Sequence, residues 1–184
     1  MPDSESHSAS AELREWIDAY GERLLRSAYL LCGDRAEAED LVQDTFLAAF
    51  ESRQSFRRES TVYTWLHGIL LNLSRKYWRR RRRLVLDNES VQNRAGDQFV
   101  APAGDREYRS GQLLRALQAL SPEHREVIVL RYYEDCRLQE IAAQTGASLG
   151  TVKSRLHYAV RALEKRLPGE MNLFATEGTH PDWP

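Results

Sequence analysis

The sequence predicts an all-α protein made of two small helical domains joined by a flexible linker. Three observations carry this. Apolar residues recur at three- and four-residue spacing in two blocks, residues 12–83 and 106–167. Between them, over residues 84–105, the periodicity fails and Asn88, Asn93, Gly96, Asp97, Pro102 and Gly104 cluster. Strand-like alternation appears in neither block.

The length of 184 residues suits two small domains better than one, because a 22-residue loop is long for one compact domain. The polar, Ser-rich residues 1–11 are expected to be disordered. The first helix is then marked by Leu13, Trp16, Ile17, Tyr20, Leu24, Ala28 and Leu31, and Gly33 ends it. Asp34 can cap the second helix, with Glu37 placed as in a capping box. That helix carries Leu41, Val42, Thr45, Phe46, Ala49 and Phe50 on its apolar side. A polar loop over residues 52–60 holds one aromatic, Phe56. The third helix is expected from about Thr61 to Arg82, with Val62, Trp65, Leu66, Ile69, Leu70 and Leu73 inward.

The second block opens near Arg106, with Leu113, Leu114, Leu117 and Leu120 on its first helix. Ser121-Pro122-Glu123 restarts a helix: a cap, a proline at the first position and an acid in the first turn. A break is expected at Asp135-Cys136, then a short helix from Leu138 to Thr145, and a last one from about Leu149 to Leu167. Pro168-Gly169 stops it, and residues 168–184 read as a loose tail.

Net charge is −1, but the charges are segregated. Acid gathers at Glu37, Glu39, Asp40 and Asp44; base gathers at Arg75, Lys76 and Arg79 to Arg83. A polyanion responds to the local field, so a near-neutral total does not exclude nucleic acid. The two cysteines, Cys32 and Cys136, belong to no CxxC or His/Cys cluster, so no zinc site is expected. Both read as small buried hydrophobes of a reducing cytoplasm. Met1 to Ser10 has no apolar core and no run approaches a membrane span, so a cytoplasmic protein without membrane insertion is expected.

The richest motif is Leu138 to Leu156, which reads as a helix-turn-helix. Ile141 and a small Ala142 face inward, Gly146 supplies the left-handed turn, and Ser148 caps the second helix. Thr151, Lys153, Ser154, Arg155, His157, Tyr158 and Arg161 lie opposite its buried stripe, where a recognition helix meets the major groove. The plainer alternative is a solvated face on a helical hairpin.

A second constellation ends the third helix: Trp65, His67, Asn72, Arg75, Lys76, Tyr77, Trp78 and the five arginines. Arginine neutralises phosphate, while aromatic faces stack on unpaired bases. Trp65 also fits the apolar stripe, and the arginine run could be a solvated helix end. The third constellation puts Asp40 and Asp44 one helical turn apart. No partner ligands complete a metal or acid–base site, so no catalytic residue or cofactor is expected. A surface for a basic protein partner, or a solvated acidic face, remains.

Together these motifs resemble the ECF (extracytoplasmic function) group of bacterial RNA polymerase sigma factors. The resemblance rests on Asp40-Leu41-Val42-Gln43-Asp44-Thr45-Phe46, Tyr63-Thr64-Trp65-Leu66 with Asn72, Leu120-Ser121-Pro122, and Gly150-Thr151-Val152-Lys153-Ser154-Arg155. It implies a non-enzymatic initiation factor with a region 2-like and a region 4-like domain. By position, Asp40, Gln43, Asp44 and Phe46 would dock on core RNA polymerase. Phe56 and its loop with Asn72 would capture a flipped base of the minus-ten element, and Arg75, Lys76, Arg79 and Arg80 would contact promoter DNA around it. Lys153, Ser154, His157 and Tyr158 would read minus-thirty-five bases, with Thr151, Arg155 and Arg161 on phosphates. An anti-sigma protein is implied as a further partner. Many relatives carry Arg where Tyr158 and Val160 stand, which puts base preference there in question. The dense run Arg79 to Arg83 is expected to add salt-sensitive, sequence-independent affinity. Two rivals are an ordinary helix-turn-helix regulator, acting without being a polymerase subunit, and an enzyme built on helical carboxylates.

Overall fold

In the computed structural model, the backbone is described over residues 3–87 and 105–167, and side chains over 10–83 and 110–167. All regular structure among the described residues is helical. The elements are α1 (Asp3–Cys32), α2 (Arg35–Ser52), a 3₁₀ turn (Arg53–Ser55), α3 (Val62–Asp87), α4 (Asp105–Gln118), α5 (Pro122–Ile128), a π-helical turn (Val129–Tyr133), α6 (Leu138–Thr145) and α7 (Leu149–Glu164). The chain divides into two compact units at Gly96/Asp97, inside the segment expected as linker. Most of that linker and the expected tail lie outside the described residues.

In the first unit, Gly33 turns α1 out at φ 82° and its N–H bonds Tyr29 O at 2.8 Å. Asp34 caps α2 by accepting from the Glu37 N–H at 3.0 Å. The Glu37 carboxylate does not close the expected capping box; it accepts from Arg81 of α3. Thr61 caps α3 by accepting from the Thr64 N–H at 3.1 Å. Leu24 and Ala28 of α1, Ala38 and Ala49 of α2, and Leu66 and Leu70 of α3 are fully buried in one core. Each such leucine contributes roughly 2 kcal/mol of apolar burial. The small alanines let the helices approach, and Trp16 and Trp65 close one end edge to face, 5.6 Å between centroids.

Two boundaries differ from expectation. Helix α1 begins at Asp3, not near Leu13, and α3 runs five residues past Arg82, to Asp87. Periodicity cannot see the first extension, because residues 3–10 carry no apolar stripe in the sequence. Early acids such as Asp3 and Glu5 suit a helix N-terminus.

In the second unit, Ser121 caps α5 and Pro122 occupies its first turn. The expected break is a π-helical turn: Glu134 N–H reaches Val129 O at 3.0 Å, and Asp135 follows at φ 53°. Val127, Leu130, Ile141, Val152, Ala159 and Leu163 are all at 0% exposure and form the core. Arg125 joins them at 2% exposure. Its guanidinium donates to the carbonyls of Leu117, Gln118 and Leu120 at 3.0, 2.9 and 3.1 Å, closing the end of α4. Charge and donors there meet carbonyls at a helix end, where the dipole favours a cation.

Candidate nucleic-acid interface

Helix α6, the turn at Gly146 (φ 66°) and helix α7 form the expected helix-turn-helix. Nothing lies within 4 Å of a Cβ built on Gly146, so its demand is backbone freedom alone. Ser148 Oγ accepts from the Thr151 N–H at 3.1 Å and shares a 2.8 Å bond with the Thr151 hydroxyl. The Thr151 side chain is therefore partly committed to the cap. Val152, Leu156, Ala159, Val160 and Leu163 are the buried stripe of α7. Thr151, Ser154, His157, Tyr158 and Arg161 stand exposed, while Lys153 and Arg155 are half-buried at the flanks. His157 and Tyr158 meet edge to face with centroids 5.6 Å apart. Of the two positions where relatives carry Arg, Tyr158 is 63% exposed, but Val160 is core at 4%. Val160 therefore has no part in reading bases directly.

At the end of α3, Asn72, Lys76, Arg79 and Arg80 are exposed and Arg75 is half-buried. Asn72 Oδ1 accepts from Arg75 at 3.0 Å. Phe56 is half-buried and stacks on Trp65, centroids 4.7 Å apart, with planes 22° from parallel. That gives the 52–60 loop a flat aromatic base. Two members of the expected constellation turn inward. His67 is 3% exposed and hydrogen-bonded to Ser27 of α1 at 2.8 Å, so it belongs to the core and not to a DNA face. Arg81 bonds both Glu37 oxygens at 3.3 Å and the Tyr77 hydroxyl. Burial alone would lower the Arg81 pKa, but the Tyr77 hydrogen bond and the charges of Glu37 and Asp34 outweigh it and raise it. The five arginines are thus not one uniform surface.

On α2, Asp40, Gln43 and Asp44 are exposed on one face. Phe46 is not on it: it is 7% exposed and packs in the core. The residue that completes the face is Leu47, 60% exposed, which sequence reasoning missed. Its spacing of seven from Asp40 was the available signal.

Residues 16–84 match the family described as sigma-70 region 2, and residues 110–163 match sigma-70, region 4. The RNA polymerase sigma-E factor of Streptomyces avermitilis is 30% identical, over 88% of this chain and 88% of its own length. The ECF RNA polymerase sigma factor SigL of Mycobacterium tuberculosis is 36% identical, over 88% of this chain and 94% of its own length. The chain belongs to the ECF sigma factors. Among solved structures, this sigma factor is similar to RpoE of Bartonella quintana in complex with the anti-sigma factor NepR, with TM-score 0.68 and 29% identity, covering 84% of this chain and 95% of that one. It is also similar to CnrH in complex with the cytosolic domain of CnrY, with TM-score 0.58 and 26% identity, covering 87% of this chain and 92% of that one.

Like its family, this sigma factor is a transcription initiation factor and not an enzyme. Among the described residues, no group of His, Cys, Asp and Glu could hold a metal ion, and no helix is long and apolar enough to cross a membrane. Burial pushes the Cys32 thiol up to about 12, only partly offset by its bond to Asp34 O. Burial also raises Cys136, which is half-buried and not the full core residue expected. Both thiols are free.

Proposed function

We propose that this sigma factor binds core RNA polymerase in the cytoplasm through the α2 face of Asp40, Gln43 and Asp44, extended by Leu47. In this reading α7 enters the major groove of the minus-thirty-five element, with Lys153, Ser154, His157 and Tyr158 on bases and Thr151, Arg155 and Arg161 on phosphates. Asn72, Arg75, Lys76, Arg79 and Arg80 engage DNA around the minus-ten element. The 52–60 loop, with Phe56 seated on Trp65, captures a flipped base. Flipping costs a few kcal/mol, which stacking and edge hydrogen bonds can offset.

The observation that carries the reading is the pairing of two unlike surfaces in the first unit. One helix exposes carboxylates, Asp40 and Asp44; the next exposes Lys76, Arg79 and Arg80. A lone DNA-binding regulator has no use for the acidic face. Two linked modules that each read a few bases act together at high effective concentration. The solved neighbour RpoE of Bartonella quintana is a sigma factor in complex with the anti-sigma factor NepR, and on that ground an anti-sigma protein is inferred for this chain.

The test is transcription in vitro with purified core polymerase on pooled genomic promoter fragments. Discrete starts that require this protein, and that Asp40→Lys/Asp44→Lys abolishes, are expected. No added transcripts, with tight binding of duplex DNA by the protein alone, would overturn the reading in favour of an ordinary helix-turn-helix regulator.

A further inference from the structure

On α3 the inward stripe Leu66, Leu70, Ser74, Tyr77 continues in steps of three or four to Arg81. The opposite face carries Asn72, Lys76 and Arg79. Within the arginine run, Arg81 reaches another helix: Nη1 lies 3.3 Å from each oxygen of Glu37, at the start of α2, and it also donates to Tyr77 Oη. Its guanidinium further lies 5.5 Å from the Trp78 ring centroid. Side-chain exposure of the pair is 28% and 33%, well below that of the surface pair Arg35–Glu39 at 72% and 46%.

Leu70 and Leu71 are the last fully buried leucines of α3; Leu73 and Tyr77 pack only partly against the core, and Arg79 to Arg83 follow Trp78. The rotational phase of this basic run gains from a further restraint. We propose that Arg81 is a positioning residue: through Glu37 and Tyr77 it struts the end of α3 against α2, so that Arg79, Arg80 and Lys76 face the promoter. The proposal rests on the DNA role given to α3 above. It also makes Glu37, an acid, a promoter of DNA engagement.

That sign gives the test. Glu37→Gln removes a negative charge near DNA, so electrostatics alone predicts tighter promoter binding. A strut predicts the reverse. With holoenzyme assembled from core polymerase and full-length protein, open-complex formation would be measured across a salt series for Arg79→Met, Arg80→Met, Arg81→Met, Glu37→Gln and the Arg81→Met/Glu37→Gln double variant. Arg79→Met and Arg80→Met should each flatten the log–log salt slope by roughly 0.7–0.9. Arg81→Met and Glu37→Gln should leave the slope unchanged and each lower open complex by up to roughly five-fold, the ceiling for a partly exposed pair. The double variant should be no worse than either single. The swap Glu37→Arg/Arg81→Glu should recover part of the loss. Thermal unfolding of each variant separates a fold defect from a positioning defect. Tighter binding by Glu37→Gln, a flattened slope for Arg81→Met, or additive losses would overturn the strut. If Arg79→Met and Arg80→Met are silent as well, the DNA role of α3 falls and the strut falls with it.

Discussion

The two units mount a basic helix in different ways. In α7, the stripe Val152, Leu156, Ala159, Val160 and Leu163 runs beneath the polar face for most of its length. Apolar packing and the Ser148 cap therefore hold the exposed polar face of α7 from its first turn. In α3, Arg79 and Arg80 lie beyond the last fully buried leucines, where the packing is the partly buried ring of Tyr77 and the tie to α2 is polar, from Arg81 to Glu37. Burial is nearly indifferent to salt, whereas an ion pair is screened by it. A face that reads duplex bases gains from rigidity. A face that follows strand opening can tolerate a softer mount.

The comparison breaks most decisively at Arg125. If the second unit is held by its own interior, removing this guanidinium should collapse it alone. Arg125→Met removes three hydrogen bonds to carbonyls at and just beyond the end of α4 and empties a guanidinium site that is 2% exposed; Leu117 O keeps the Leu120 N–H, and a buried acceptor left without its donor costs about 1–3 kcal/mol. A loss of roughly 3–5 kcal/mol is expected. Hydrogen exchange on the full chain should show lost protection across 110–167 and unchanged protection across 16–83. Equal loss in both units would mean that they are not independently stabilised.

The next effect lies within α2, where one residue step separates core from surface. Phe46→Ala should destabilise the first unit by about 3–5 kcal/mol, as buried phenylalanine truncations do. Leu47→Ala should change stability by less than about 0.5 kcal/mol, because its side chain is 60% exposed. Under the proposed function, Leu47→Ala should nonetheless weaken binding to core polymerase. Denaturant unfolding and polymerase titration of both variants check this. Wild-type polymerase affinity in Leu47→Ala would return the face to its carboxylates alone.

The same step explains what the sequence could and could not disclose. A 100° rotation per residue assigns Asp40, Gln43 and Asp44 to one face, and their exposure follows. Phe46 falls just off that face, and a docking role taken from a motif does not carry its phase. The helix-turn-helix was legible because Gly146 and Ser148 act locally and Ile141, Val152 and Leu156 repeat regularly. Arg125 was not. A lone arginine on a helix reads as solvated, and its three acceptors come from the preceding helix end. His67 was hidden for a similar reason, since Ser27 is 40 positions away. Arg81 sat inside a run whose composition suggested one surface, whereas its position on the helix turned it toward Glu37 and Tyr77.

The smallest expected effect on the fold falls at Tyr158, where α7 is most open. A side chain 63% exposed should leave stability within about 0.5 kcal/mol when cut to alanine. Under the proposed function, its consequence lies in base choice. A phenol ring held beside His157 offers apolar contact to a thymine methyl and a hydroxyl to a neighbouring base edge. Tyr158→Ala should therefore relax preference at one end of the minus-thirty-five element, by roughly 1–3 kcal/mol for the base concerned. Transcription from a library randomised over that element measures it, and replacing thymine by deoxyuridine isolates the methyl. Tyr158→Arg should instead move preference toward guanine, since arginine pairs with its O6 and N7. If both variants keep the parental preference, the specificity of α7 lies in Lys153, Ser154 and His157. The rigid mount of this helix would then orient its first two turns and leave the exposed ring outside the readout.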